Sequence, residues 1–195
     1  EQFAIHKYTT IADVFGATNS AGLKASYGPG TADTILIQDN SNSFNTYYYK
    51  NGGLGGIGWR SSTNPINDKA NTIIPHGAGI IVVRRENTDL IITVLGSVFP
   101  ENVVTPIEQG FNWKTSSIPV DLTLSTLFGS NNQAGLDSGY GPGNADNVII
   151  FNASGGFESY YYKDSGLGGI GWRSSGNPIT DHANTVIAKP GEMFL

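Results

Sequence analysis

The sequence predicts an all-β protein of two tandem, similar antiparallel sandwiches or partly open barrels, each carrying one short helical turn. Three observations predict it. A block of the chain occurs twice, at a constant offset of 113 residues that carries Trp59 onto Trp172. Glycine, at 26 of 195 residues, sits beside many Tyr, Thr, Asn and Ser, while only 14% of residues are charged, a composition that suits strands and tight turns better than helices. The apolar stretches are strand-sized and end at Gly, Pro and Asn clusters.

The repeat sets the organisation. From Phe15 to Ile74 the match to the block from Phe128 to Ile187 runs without a gap, with roughly 60% of positions identical. Each half has roughly 100 residues and is long enough for its own core, so the expected domains are residues 1–98 and 99–195.

Each repeat opens with a helical turn. Thr10 to Gly16 places a Thr N-cap three residues before Asp13 and a glycine stop after Phe15. Thr123 to Gly129 repeats it with Thr126 in place of the acid, which predicts a weaker cap. Gly28-Pro29-Gly30 and Gly141-Pro142-Gly143 mark turns. Residues 33–38 and 146–151 read as buried strands, with Asp33 and Asp146 as turn or cap residues at their starts. The tyrosine strand, Phe44 to Lys50, follows, then a glycine-rich link into a strand over 57–61, giving a three-stranded antiparallel meander closed by Asn64-Pro65. Residues 71–74, 80–85 and 90–95 predict three more strands, and Phe111-Asn112-Trp113 one within the link between the halves. The halves are out of frame at their ends. Leu195 corresponds to Val82, so the second repeat is expected to stop mid-strand, and the first to lack the segment before Lys114. An open strand edge invites a partner, which makes Phe3, Ile5, Phe194 and Leu195 candidate subunit contacts by strand addition.

Composition narrows the function. A net charge of −5 without a basic cluster argues against nucleic acid. No stretch reaches membrane-spanning length, and no signal peptide is visible. The absence of cysteine excludes disulfides and thiolate metal sites. The aromatic strands admit two readings. Tyr47 and Tyr49 share one strand face, with Trp59 on the neighbouring strand, and Tyr160, Tyr162 and Trp172 repeat the set. Functionally these rings form a stacking platform for sugars; structurally they are cross-strand pairs that stabilise the sheet. The glycine-rich link lacks the Lys-Ser/Thr and the helix of a phosphate loop, so its glycines serve close backbone approach. Residues 39–43 gather oxygen ligands, but the second copy at Asn152 lacks the acid, which favours an ordinary Asx turn over Ca²⁺. The three histidines are scattered, and His182 replaces Lys69. Arg60 and Arg173 stack on a tyrosine or end a solvated strand. No paired acids or nucleophile–base set stands out, so no catalytic residue, metal or cofactor is assigned.

The runs FAIHKYTTIADVFG, AGLKASYGPGTADTILIQ, YYYK…GWR and IIPHGAGIIVVRR resemble a family of exported β-repeat proteins from verrucomicrobial genomes. Its members carry the same doubled turn, AD-x-(V/I) strand and YYY…GWR pair. The resemblance covers nearly the whole chain and implies export and a β-rich repeat. It implies no activity, catalytic residue or cofactor. Family members also carry a segment before the first repeat and end the second with the basic strand, and this chain is expected to lack both. The expected function is that of a non-enzymatic extracellular structural protein, self-associating at a cell surface, in a matrix or as a filament subunit. The alternative is a carbohydrate-binding module using the Tyr and Trp strands.

Overall fold

A computed structural model describes residues 8–39, 43–93, 105–116, 119–152, 154–189 and 192–195. The chain divides into two compact units, Glu1–Ser97 and Val98–Leu195. Both are mostly β with antiparallel sheets.

Unit 1 begins with α1 (Ile11–Phe15), closed by a reciprocal capping box. The Thr10 hydroxyl accepts from the Asp13 N–H at 3.3 Å, and the Asp13 carboxylate accepts from the Thr10 N–H at 2.9 Å. Four strands follow: β1 (Thr34–Gln38), β2 (Phe44–Lys50), β3 (Gly58–Ser61) and β4 (Ile80–Val83). They form one sheet in the order β3-β2-β1-β4, antiparallel throughout. The predicted meander is therefore present, with β4 added on the far side of β1.

Alternation along β2 assigns the faces. Tyr47, Trp59, Ile35 and Ile37 join Ile11 and Phe15 of α1, Leu23, Ala70 and Ile74 in one apolar cluster, with Tyr49, Ile80 and Val82 at its margin. The helical turn lies on this cluster and is held by N–H bonds from Ile11 and Ala12 to the carbonyls of Thr72 and Ala70. On the opposite face Tyr48, Lys50 and Arg60 are also buried. A sheet buried on both faces explains why the tyrosine run needs no polar alternation.

Unit 2 contains β5 (Lys114–Thr115), β6 (Leu122–Thr123), α2 (Leu124–Phe128), a 3₁₀ turn at Pro142–Asn144, β7 (Asn147–Phe151), β8 (Phe157–Lys163), β9 (Gly171–Ser174), β10 (Val186–Ala188) and β11 (Met193–Phe194). Its main sheet runs β5-β11-β7-β8-β9, and β10 pairs with β6 in a ribbon. The register of unit 1 recurs: Tyr162 faces Trp172 as Tyr49 faces Trp59. The cap of α2 is geometrically complete despite the missing acid, because the Thr126 hydroxyl accepts from the Thr123 N–H at 2.7 Å.

Several expected strands differ. Residues 71–74 make only a bridge, Thr10 to Ile73, although their counterparts contribute to β10. Leu90 and Ile92 pack on the core while Ile91 faces outward, yet residues 90–93 form no strand; Val94 and Leu95 lie outside the described residues. The strand expected at 111–113 falls instead at Lys114–Thr115, and Trp113 stacks on Phe151 with ring centroids 6.0 Å apart. The second repeat does not stop mid-strand unpaired. β11 is flanked by β5 and β7, and Leu195 exchanges two backbone hydrogen bonds with Ile149, at 2.6 and 2.9 Å.

Candidate functional site

The six aromatic candidates are core residues. Tyr47, Trp59, Tyr160, Tyr162 and Trp172 are buried, and Tyr49 is half-buried against the same cluster. Tyr49 meets Trp59 edge-on at 5.3 Å, and Tyr162 meets Trp172 at 5.4 Å. Each Trp Nε1–H donates to a glycine carbonyl after the helical turn, Gly16 at 2.8 Å and Gly129 at 2.9 Å. A ring that fills a core and spends its polar atom internally offers no face to a sugar, so the platform is withdrawn. Of the proposed subunit contacts, Phe3 and Ile5 lie outside the described residues. Phe194 is buried in the unit 2 core and Leu195 completes the same sheet, so neither supplies an open edge.

What the fold does bring together is a pair of equivalent loop assemblies. At the end of β2, Lys50 is buried, and its ammonium donates to the carbonyls of Leu54 and of Pro65, the latter at 3.2 Å. The same ammonium lies 5.2 Å from the centroid of the Tyr27 ring, a cation–π contact. Arg60, next along β3 from Trp59, is buried too. It donates to the carbonyls of Trp59, Gly55 and Ile57 and pairs with Asp68 at 3.1 Å. It is neither stacked on a tyrosine nor solvated, contrary to both sequence readings. The orphan carbonyls of a glycine-rich loop need donors, and two fixed cations supply them.

The loop accepts this geometry because of Gly55. Its φ is +87°, and a Cβ there would lie 2.7 Å from the Ile66 Cα and 2.8 Å from the Pro65 oxygen. Unit 2 repeats each contact. Lys163 donates to Leu167 and Pro178 and lies 5.2 Å from the Tyr140 ring centroid. Arg173 donates to Trp172, Gly168 and Ile170 and pairs with Asp181 at 3.1 Å. These cations are structural staples.

One polar constellation differs between the units. Asp33 is 1% exposed, and its carboxylate accepts from the N–H groups of Lys24 at 2.8 Å and Arg85 at 2.6 Å and from the Arg84 guanidinium. Asp146 is exposed and accepts from the Asp137 N–H at 2.8 Å. The turn-residue reading suits Asp146 and understates Asp33. At 39 and 152 the side chain closes a turn in both units, Asp39 onto Ser43 N–H and Asn152 onto Gly156 N–H. The turn needs an oxygen rather than a charge, consistent with an Asx turn.

Burial pushes the Tyr47 and Tyr48 phenols above their ordinary range, opposed by a hydrogen bond to Thr72 and by the charge of Arg60 respectively; Asp39 adds to the rise at Tyr47. Tyr160 is pushed up to about 12, first by burial and then by its hydrogen bond to Glu158 at 2.6 Å and that carboxylate's charge. Two shallow clefts accompany unit 1: one lined by Ile37, Asn45, Tyr47, Ile73 and Pro75, the other by Arg84, Glu86, Thr88 and Leu90. Among the described residues no His, Asp and Glu group is arranged to hold a metal, and no helix is long and apolar enough to cross a membrane.

The sequence reading missed Tyr27, Lys50, Leu54, Ile57 and Ile66 with their counterparts. The available signal was that all five are unchanged between the repeats although they lie in or beside turns, where apolar periodicity gives no reason for them. No protein-family model, curated protein or solved structure matches the chain.

Proposed function

We propose that the protein is a non-enzymatic structural component of the cell exterior, a self-associating subunit of a surface layer, matrix or filament, built from two tandem β-sandwich modules. The observation that carries the reading is how each unit spends its strongest polar groups. Lys50, Arg60 and the Trp59 N–H are committed to backbone carbonyls of their own unit, and Lys163, Arg173 and Trp172 do the same. Groups used this way stiffen loops and are not free to bind or polarise a substrate. The resemblance to exported β-repeat proteins supports the extracellular placement.

The test is electron microscopy and light scattering on protein purified from its native source. Assemblies larger than the 20.7 kDa chain are expected. A monodisperse monomer at every concentration overturns the reading.

A further inference from the structure

Large apolar side chains are exposed at five matching places in both units, one of them Ile73 and Val186, and the other four lie on one loop assembly. Tyr27 and Tyr140 are each 66% exposed, Leu54 and Leu167 72% and 73%, Ile57 and Ile170 67% and 66%, Ile66 and Ile179 52% and 54%. Within a unit they sit on one continuous piece of structure. The Tyr27 ring lies directly on Gly53, where a Cβ would come within 2.1 Å of it, and the backbone at Gly55 lies against Pro65 and Ile66. The Lys50 ammonium binds the carbonyls of Leu54 and Pro65 and lies close to the Tyr27 ring. The four side chains are therefore exposed from one loop assembly per unit, its cap, whose carbonyls are held by buried Lys and Arg.

We infer that these caps are self-association surfaces, and that the occupant of each is a cap of a second copy of this chain. The inference rests on the proposed structural role and names the contact that would serve it. Charge permits the pairing. From Gly52 to Asn67 the only charged residue is Arg60, and from Ser165 to Thr180 it is Arg173, both buried. Residues 25–32 and 138–145, which carry Tyr27 and Tyr140, have none. Asp68 and Asp181, just past each stretch, are already paired with those arginines. Charge beside the caps is thus confined to Asp68 and Asp181, 61% exposed but paired with the arginines, and to exposed Asp164 in unit 2. The apolar side chains themselves can meet although the whole chain carries −5. A loop already fixed by four or more side-chain hydrogen bonds loses little further entropy when its Leu and Ile are covered.

Area sets the strength. Three aliphatic side chains and a tyrosine expose on the order of 400–500 Å² per cap, within the range of the largest apolar patch on a typical monomer. Pairing two caps buries about 800–1,000 Å² in total, short of the roughly 1,200 Å² at which a stable interface begins. One contact is weak. Each chain carries two caps, so a subunit has two such contacts to offer other copies.

The test is sedimentation velocity on the full chain from micromolar to millimolar concentration. The variants are Leu54→Ser with Ile57→Ser, Leu167→Ser with Ile170→Ser, and all four together. Ile91→Ser, at an 88% exposed position outside both caps, is the control. All the changed side chains are exposed, and circular dichroism checks that each variant folds. The wild type and the control are expected to grow with concentration, each single-cap variant to stop at dimers, and the four-fold variant to stay monomeric. Single-cap variants that grow like the wild type overturn the inference and leave the proposed function standing. A wild type that stays monomeric overturns both, including one that floats with neutral phosphatidylcholine vesicles, which would make the caps lipid contacts.

Discussion

Asp33 and Asp146 occupy equivalent positions with unequal surroundings, and Asp→Asn at each should separate their roles. At Asp33 the two carboxylate oxygens serve three donors: one oxygen takes the Arg85 N–H, the other the Lys24 N–H and the Arg84 guanidinium. An amide keeps the shape but replaces one oxygen with NH₂. Whichever way it turns, it sets a donor against a donor and removes the buried one of Arg84's two acidic partners, leaving Glu86 at 3.6 Å. Breaking one side of a fully buried pair costs about 3–5 kcal/mol; with Arg84 23% exposed and still beside Glu86, about 3 kcal/mol is expected here. Asp146 accepts one backbone N–H at an exposed site, and an amide can turn its oxygen to it, so the cost there is about 0–1 kcal/mol. Because two units need not unfold together, hydrogen exchange read by mass spectrometry is the assay, since it reports each sheet separately. Asp33→Asn should speed exchange of the β1 and β2 amides by about a hundred-fold or more, at 1.4 kcal/mol per factor of ten, and leave β7 and β8 unchanged. Asp146→Asn should change β7 and β8 by less than about ten-fold. Equal effects at the two sites, or a change under about ten-fold at β1, would refute the assignment of Asp33 as a buried, triply bonded anchor.

Gly55→Ala and Gly168→Ala should each lower stability by more than the roughly 1–2 kcal/mol of a left-handed alanine, because the new Cβ meets backbone at 2.7 and 2.8 Å and no rotamer change relieves it. Gly30→Ala, which points into open space, should stay within about 1 kcal/mol of neutral; urea midpoints compare all three. Trp59→Phe and Trp172→Phe should cost about 2–4 kcal/mol each, from a lost hydrogen bond plus an unfilled core volume, and should agree closely with one another in thermal unfolding. Tyr160 holds its proton up to about pH 12 in the folded chain, against about 10 when unfolded. Its contribution to stability is therefore fully present below pH 10 and lost as pH rises through 12. The phenolate absorbance missing in Tyr160→Phe should titrate near 12 and move down in Glu158→Gln.

The hairpins were legible because their signal is local. The short apolar run of β1, the aromatic residues of β2, Asn and Gly at the turns, and a Thr cap three residues before its partner are all read within one window. The faces were only half legible. The tyrosine run correctly placed Tyr47 and Tyr49 together, but nothing in it tells that Tyr48 is buried as well. Burial of Lys50 and Arg60 was illegible for a physical reason. A cation is normally solvated, and these two leave water only because carbonyls up to 15 residues away converge on them. The pairing of β11 with β5 joins residues nearly 80 apart, and the hydrogen bond from Thr115 to the Glu192 carbonyl spans 77. No local pattern encodes such a partner.

The duplication also separates what stability requires from what it tolerates. Inside the core the two copies have drifted: Ile11 is replaced by Leu124, and Ile35 by Val148, all of them buried. Changes of that kind cost about 1 kcal/mol and have been absorbed. Exposed positions have drifted further: Thr31 against Asn144, Asn51 against Asp164, Thr63 against Gly176, Asn67 against Thr180. Two of these, Thr63 and Asn67, lie within three residues of Ile66. Yet Leu54, Ile57, Ile66 and Tyr27 are the same residues in both copies at matching exposure. Replacing a surface side chain typically moves stability by less than about 0.5 kcal/mol, so the fold alone does not hold Ile66 in place while Thr63 and Asn67 change; Leu54 and Ile57 lie in residues 53–62, which are identical in both copies throughout. The glycines beside them are fixed by close backbone contact and the cations by their carbonyls. Tyr27 is held by the Lys50 ammonium and by Gly53; for Leu54, Ile57 and Ile66 the proposed contact between caps would supply the reason.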